Sequence, residues 1–113
     1  MEKSTKLNFG FISQYQAQKE IIFNENFAKL DNILYLSFIS REIATVPSNP
    51  AYGDCYLIPK ESKGEWANSS EQIAYYKGMW EFIIPKPGMI AWIQAEKKLV
   101  IFDGNIWKGV ILE

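Results

Sequence analysis

Histidine is absent and cysteine occurs once, at Cys55, and these two shortages narrow the chemistry open to the chain. Without histidine there is no side chain whose ordinary pKa suits general-base work near neutral pH, and the commonest transition-metal ligand is missing. Hydrolases of the Ser-His or Cys-His kind are thereby set aside. A lone cysteine excludes an intrachain disulfide and any multi-cysteine metal site, so Cys55 reads as a small, half-buried strand residue. Long apolar runs are lacking too. Residues 1–13 carry Lys3 and Lys6, but the apolar stretch that follows is too short and interrupted for a signal-peptide core or a membrane span. The expectation is a soluble chain without a cleavable leader, with its place open between the cytoplasm and a larger assembly released by lysis.

An excess of one charge sign is missing as well: 12 basic residues face 13 acidic ones. Nothing is left over to neutralise phosphates or anionic head groups, so neither a nucleic-acid partner nor membrane insertion is expected. Glycine-rich phosphate loops are absent, because neither a Walker sequence nor a dinucleotide fingerprint occurs. The carboxylates Asp54, Glu61, Glu65, Glu71, Glu81, Glu96 and Asp103 are scattered, and a glycosidase pair would have to be assembled by folding alone. Asp103-Gly104-Asn105 lacks the alternating ligands and closing glutamate of a calcium loop, while Asp-Gly is a strong hairpin signal. No catalytic residue, cofactor or metal site is expected, and the chain reads as a non-enzyme.

What is present is apolar and aromatic: 113 residues, 48% of them hydrophobic and 15% aromatic, enough to order one domain. Residues 14–36 contain no glycine or proline and many helix formers. Phe23, Phe27, Leu30 and Leu34 follow one another at intervals of four, three and four, the rhythm of a coiled-coil seam, with Ile22 and Ile33 widening the stripe. Such a face either packs on the chain's own sheet or joins a second copy, with a trimer as the expected assembly. About two heptads make a marginal coiled coil, so a trimer needs help from the rest of the chain. Asn24, Asn26 and Asn32 lower helix propensity here and are either solvated or paired across an interface.

The remainder reads as short strands. Residues 41–44 form a first candidate, and Pro47-Ser48-Asn49-Pro50 a turning connection. A strand over residues 54–58 stops at Pro59, and a loop over residues 60–70 surrounds the isolated Trp66. Strands over 72–76 and 80–84 flank Lys77-Gly78-Met79, and further strands are expected over 89–94, 99–102 and 106–110. Tyr76…Trp80 and Phe102…Trp107 look like two versions of one device, an aromatic pair pinning register across a glycine turn. The fold class is therefore α+β: an N-terminal extension over 1–13, an amphipathic oligomerisation helix over 14–38, and an antiparallel β meander over 39–113. Trp66, Tyr75 and Trp92 are the candidates for stacking on a sugar ring, provided that their faces are exposed.

Across most of the chain, Gln16-Ala17-Gln18-Lys19-Glu20, Asn24-Glu25, Leu30-Asp31, Pro47, Pro50, Gly53-Asp54-Cys55-Tyr56, Gly64-Glu65-Trp66-Ala67, Trp80, Pro85, Gly88-Met89 and residues 104–107 form a combined pattern. It resembles an uncharacterised family of phage-associated proteins encoded in alphaproteobacterial prophages and near gene transfer agent tail genes. The resemblance implies a domain in or next to a tail fibre or host-recognition protein. It implies no enzyme activity and carries over no catalytic residue. Two function classes stand side by side: a structural module that oligomerises through its helix and binds a host-surface glycan or a neighbouring tail protein, and a monomeric carbohydrate-binding module whose helix belongs to its core.

Overall fold

In the computed structural model, which describes residues 1–111, the chain is an α+β protein that divides into two compact units, Met1–Leu34 and Tyr35–Glu113. The first unit holds one helix, α1, over Lys19–Leu34. The helix is shorter than residues 14–38 at both ends. At its start Gln18 adopts φ 57°, a left-handed conformation that an α-helix cannot continue through. At its end residues 36–38 alternate between burial and partial exposure and become extended, because Leu36 and Phe38, at 7% and 0% exposure, are claimed by the β core.

Residues 1–13 are ordered against α1. A Lys3–Gly10 bridge closes a small loop, in which Ser4 N donates to Phe9 O at 2.8 Å and Phe11 N to Glu2 O at 2.9 Å. Asn26 fastens that loop to the helix: its Nδ2 donates to Gly10 O at 2.8 Å and its Oδ1 accepts from Gly10 N at 3.1 Å. One amide side chain thus imitates a strand neighbour and satisfies both polar groups of one residue. Lys29 donates to Leu7 O and lies 5.5 Å from the centroid of the Phe9 ring. Of the other helix asparagines, Asn32 bonds back to Ala28 O at 2.9 Å and Asn24 is exposed.

Among its described residues the second unit contains seven strands: β1 Ser37–Phe38, β2 Cys55–Leu57, β3 Ile73–Tyr76, β4 Trp80–Ile83, β5 Ile90–Ile93, β6 Lys98–Phe102 and β7 Trp107–Val110. They form a sheet in the order β1-β5-β6-β7 and another in the order β2-β3-β4. Two features depart from a simple meander. Residues 41–44 are not a strand: Glu42 N donates locally to Ser40 Oγ at 3.1 Å rather than to a neighbouring strand. The first strand is β1, and it runs parallel to β5, a pairing that needs a long crossover and leaves no short-range sequence signal.

Residues 36–40 join the two sheets. On one side Trp92 N donates to Leu36 O (2.9 Å), Gln94 N to Phe38 O (2.8 Å) and Ala95 N to Ile39 O (3.1 Å). On the other, Ile39 N donates to Cys55 O (2.7 Å) and Leu57 N to Ser40 O (3.2 Å). Around β2, β3 and β4 the core is aromatic. Trp66, brought in by a short 3-10 turn over Gly64–Trp66, is wholly buried. It stacks edge-on to Trp80 at 5.3 Å and lies 5.4 Å from Tyr56. Beneath the other sheet lie Phe38, Ile93 and Val100, each at 0% exposure.

Both aromatic–glycine–Trp devices are formed as cross-strand partners. Tyr76 faces Trp80 with ring centroids 5.1 Å apart, and Phe102 faces Trp107 at 5.2 Å. Glycine is required at the first turn: Gly78 has φ 92°, and a Cβ there would meet the Tyr52 hydroxyl at 2.7 Å.

Candidate functional site

Two surfaces offer themselves, one in each unit. On α1 the Ile22, Asn26, Lys29 and Ile33 face is partly buried, whereas Phe23, Phe27 and Leu34 are 52%, 54% and 77% exposed and Leu30 is half-buried. No residue of the helix is fully buried. Phe23 and Phe27 lie one turn apart with ring centroids 4.5 Å from each other, so the first half of the expected seam is an exposed aromatic pair. Nearby in sequence, Phe11 and Tyr15 are exposed as well, at 53% and 91%. A 34-residue unit showing this much apolar surface has a poor core of its own.

The second surface is a groove of about 640 Å³ in the β unit. It opens where the exit of β2, the approach to β3, the exit of β4 and the β6–β7 turn meet. Phe102, Trp107, Pro85 and Pro87 supply apolar walls, and Gln72 and Asn105 contribute amides. Arg41 braces one side. Its Nε and Nη2 donate to the two carboxylate oxygens of Glu96, each at 2.8 Å, and its Nη1 donates to Trp107 O at 3.3 Å. A bidentate pair of this kind fixes geometry as well as charge. Its hydrogen bonds and positive charge hold the Glu96 carboxyl below its usual range.

The turn beside the groove is fixed by Asp103. Its Oδ1 accepts from Ile106 N at 2.9 Å and Asn105 N at 2.8 Å, and Lys108 Nζ lies 3.2 Å from Oδ2. Those backbone donors, helped by Lys108, pull its pKa from 3.8 down to about 2. A carboxylate whose folded pKa is depressed stabilises the fold above its unfolded value and loses that contribution as pH falls through the folded one. Asp103→Asn is therefore expected to lower the thermal midpoint at pH 7 and to flatten its decline between pH 4 and pH 2, as read by circular dichroism. An unchanged acid decline in the variant contradicts this role.

The sugar-stacking expectation requires correction at two of its three residues. Trp66 is 0% exposed within the core, and Tyr75 is 4% exposed on the central strand β3, which is covered on both faces. Only Trp92, at 37%, presents a face, because β5 alternates and turns Ala91 and Ile93 inward. Cys55 is buried rather than half-buried, and desolvation pushes its thiol up to about 12, where it stays neutral. Among the described residues no group of three or more Cys, Asp or Glu side chains is placed to hold a metal ion. No helix among them is long and apolar enough to cross a membrane.

The groove residues Arg41, Gln72 and Asn105, and the Glu96 that braces Arg41, were not legible as a set. They are separated by up to 64 positions in the chain; only the Phe102–Trp107 turn pair carried a local signal. Together the fold and these surfaces define a small α+β protein with an apolar helix and a two-sheet aromatic body. The family model described as "Protein of unknown function (DUF2793)" matches residues 23–108, and the chain belongs to that family. A search of curated proteins gives no match.

Proposed function

We propose that this protein is a non-enzymatic structural module of a phage-type tail fibre or host-recognition assembly. The helix α1 joins copies of the chain, with three as the expected number, and the β unit binds a host-surface glycan or a neighbouring tail protein. The observation that carries the reading is the ridge of Phe23, Phe27, Leu30 and Leu34, which keeps coiled-coil spacing and stays largely exposed. A second copy is the occupant that such spacing suits, because each ridge residue then meets its own equivalent around a closed axis. Several copies on one particle would multiply weak surface contacts by avidity. The phage association rests on the motif resemblance. The groove also favours the other reading, a monomeric carbohydrate-binding module.

Light scattering across a dilution series separates the two. The intact chain is expected to give the mass of a trimer, and the Phe27→Asp, Leu30→Asp double variant the mass of a monomer with unchanged β-sheet circular dichroism. A monomeric wild-type chain at every concentration overturns the assembly half and leaves the monomeric module standing.

A further inference from the structure

We infer that the groove of the β unit is a binding site for a short neutral oligosaccharide, with Trp107 and Phe102 as its ring platform and Gln72 and Asn105 as its hydroxyl partners. This rests on the glycan-binding reading above and gives it a place in the fold that the sequence candidates Trp66 and Tyr75 do not have.

Three observations point to this ligand class. The first is size: about 640 Å³ lies within the ordinary range of small-molecule sites, roughly 300–1,000 Å³. The second is charge. The guanidinium of Arg41 is neutralised by its two bonds to Glu96, and the other ionisable residues lining the groove are Lys60 and Glu71, of opposite sign. A groove without net charge gives no advantage to phosphates, nucleotides or carboxylates.

The third is the kind of surface. Phe102 and Trp107 hold their rings 5.2 Å apart and line the groove beside Pro87, giving flat apolar faces of the type that pack on a pyranose ring. The Trp107 Nε1–H, like that of Trp66, is buried without a hydrogen-bond partner, so the contribution of Trp107 to the groove is its ring surface. The amide side chains of Gln72 and Asn105 each offer both donors and an acceptor, which matches the dual character of sugar hydroxyls. Trp107 is itself held in place, by Phe38 edge-on at 5.4 Å and by the Arg41 bond to its carbonyl, so the platform is rigid before any ligand arrives.

The test is nitrogen–proton correlation spectroscopy of the full chain, following the four tryptophan indole N–H signals during titration with neutral trisaccharides of glucose, galactose, mannose and N-acetylglucosamine. At least one trisaccharide is expected to move the Trp107 signal saturably while those of Trp66 and Trp80 stay fixed. Gln72→Ala and Asn105→Ala are each expected to weaken that binding by about 3- to 10-fold, the loss of one hydrogen bond, with their folding confirmed by unchanged Trp66 and Trp80 signals. Saturable movement of Trp92 alone overturns the groove assignment but leaves glycan binding intact. A Trp107 response to sialyllactose with none to the neutral sugars overturns the neutral class. No movement with any sugar overturns both the site and the glycan half of the reading, while the oligomer measurement stands apart.

Discussion

Trp66→Ala is expected to destabilise the β unit by about 3–5 kcal/mol, the range for removing a fully buried large aromatic. Trp66 is 0% exposed and is wedged between Tyr56 and Trp80, with centroids at 5.4 and 5.3 Å. Its removal takes away both the burial of its apolar surface and the edge-on contact with Trp80, and neighbours tied into β2 and β4 cannot collapse into the space. Small domains hold only about 5–15 kcal/mol of stability, so the variant is expected to unfold at a much lower urea concentration. Urea titration followed by circular dichroism measures this, with Trp92→Ala as the comparison. Trp92 is 37% exposed, and its truncation is expected to cost less than about 1.5 kcal/mol. Equal losses in the two variants contradict the core role of Trp66.

The second large effect is expected at Phe38, although it sits in a strand of only two residues. Phe38→Ala is expected to cost about 3–5 kcal/mol, by the same cavity argument. The residue is 0% exposed, its ring meets Trp107 edge-on at 5.4 Å, and its carbonyl accepts from Gln94 N at 2.8 Å. The backbone on either side bonds to β5 and to β2, so loosening Phe38 loosens the segment shared by both sheets. Thermal unfolding at neutral pH checks the prediction, and Phe27→Ala provides the contrast. Phe27 is 54% exposed, and its truncation is expected to leave the unfolding of the β unit unchanged. A Phe38→Ala midpoint equal to wild type contradicts the joining role.

Much of the body was legible because its signals are local. Glycine turns at 78 and 104, proline stops at 59 and 85 and alternating apolar runs fixed six of the seven strands to within a residue or two. The aromatic–turn–Trp pairs were legible for the same reason, since partners a few residues apart meet across one turn. The segment after the helix was misread in both directions. Residues 35–38 carry no breaker and continue a helical composition, yet Leu36 and Phe38 are extended and buried, because tertiary packing outweighs weak local propensity. Arg41 reads as part of a strand, but its partners Glu96 and Trp107 lie 55 and 66 residues further on.

The sequence by itself determined the class of the fold, the turns, the spacing of the helix ridge and the shortage of groups for histidine- or cysteine-based chemistry, because each depends on residue type and on periods of two, three or four. Only the tertiary structure decided that β1 runs parallel to β5, that Trp66 and Tyr75 are core residues while Trp92 is exposed, that Asn26 clasps Gly10, and that Arg41, Gln72, Asn105 and Trp107 border one groove. Each of those depends on where distant segments meet, and burial and long-range pairing are set by the packing of the whole unit rather than by any one stretch of it.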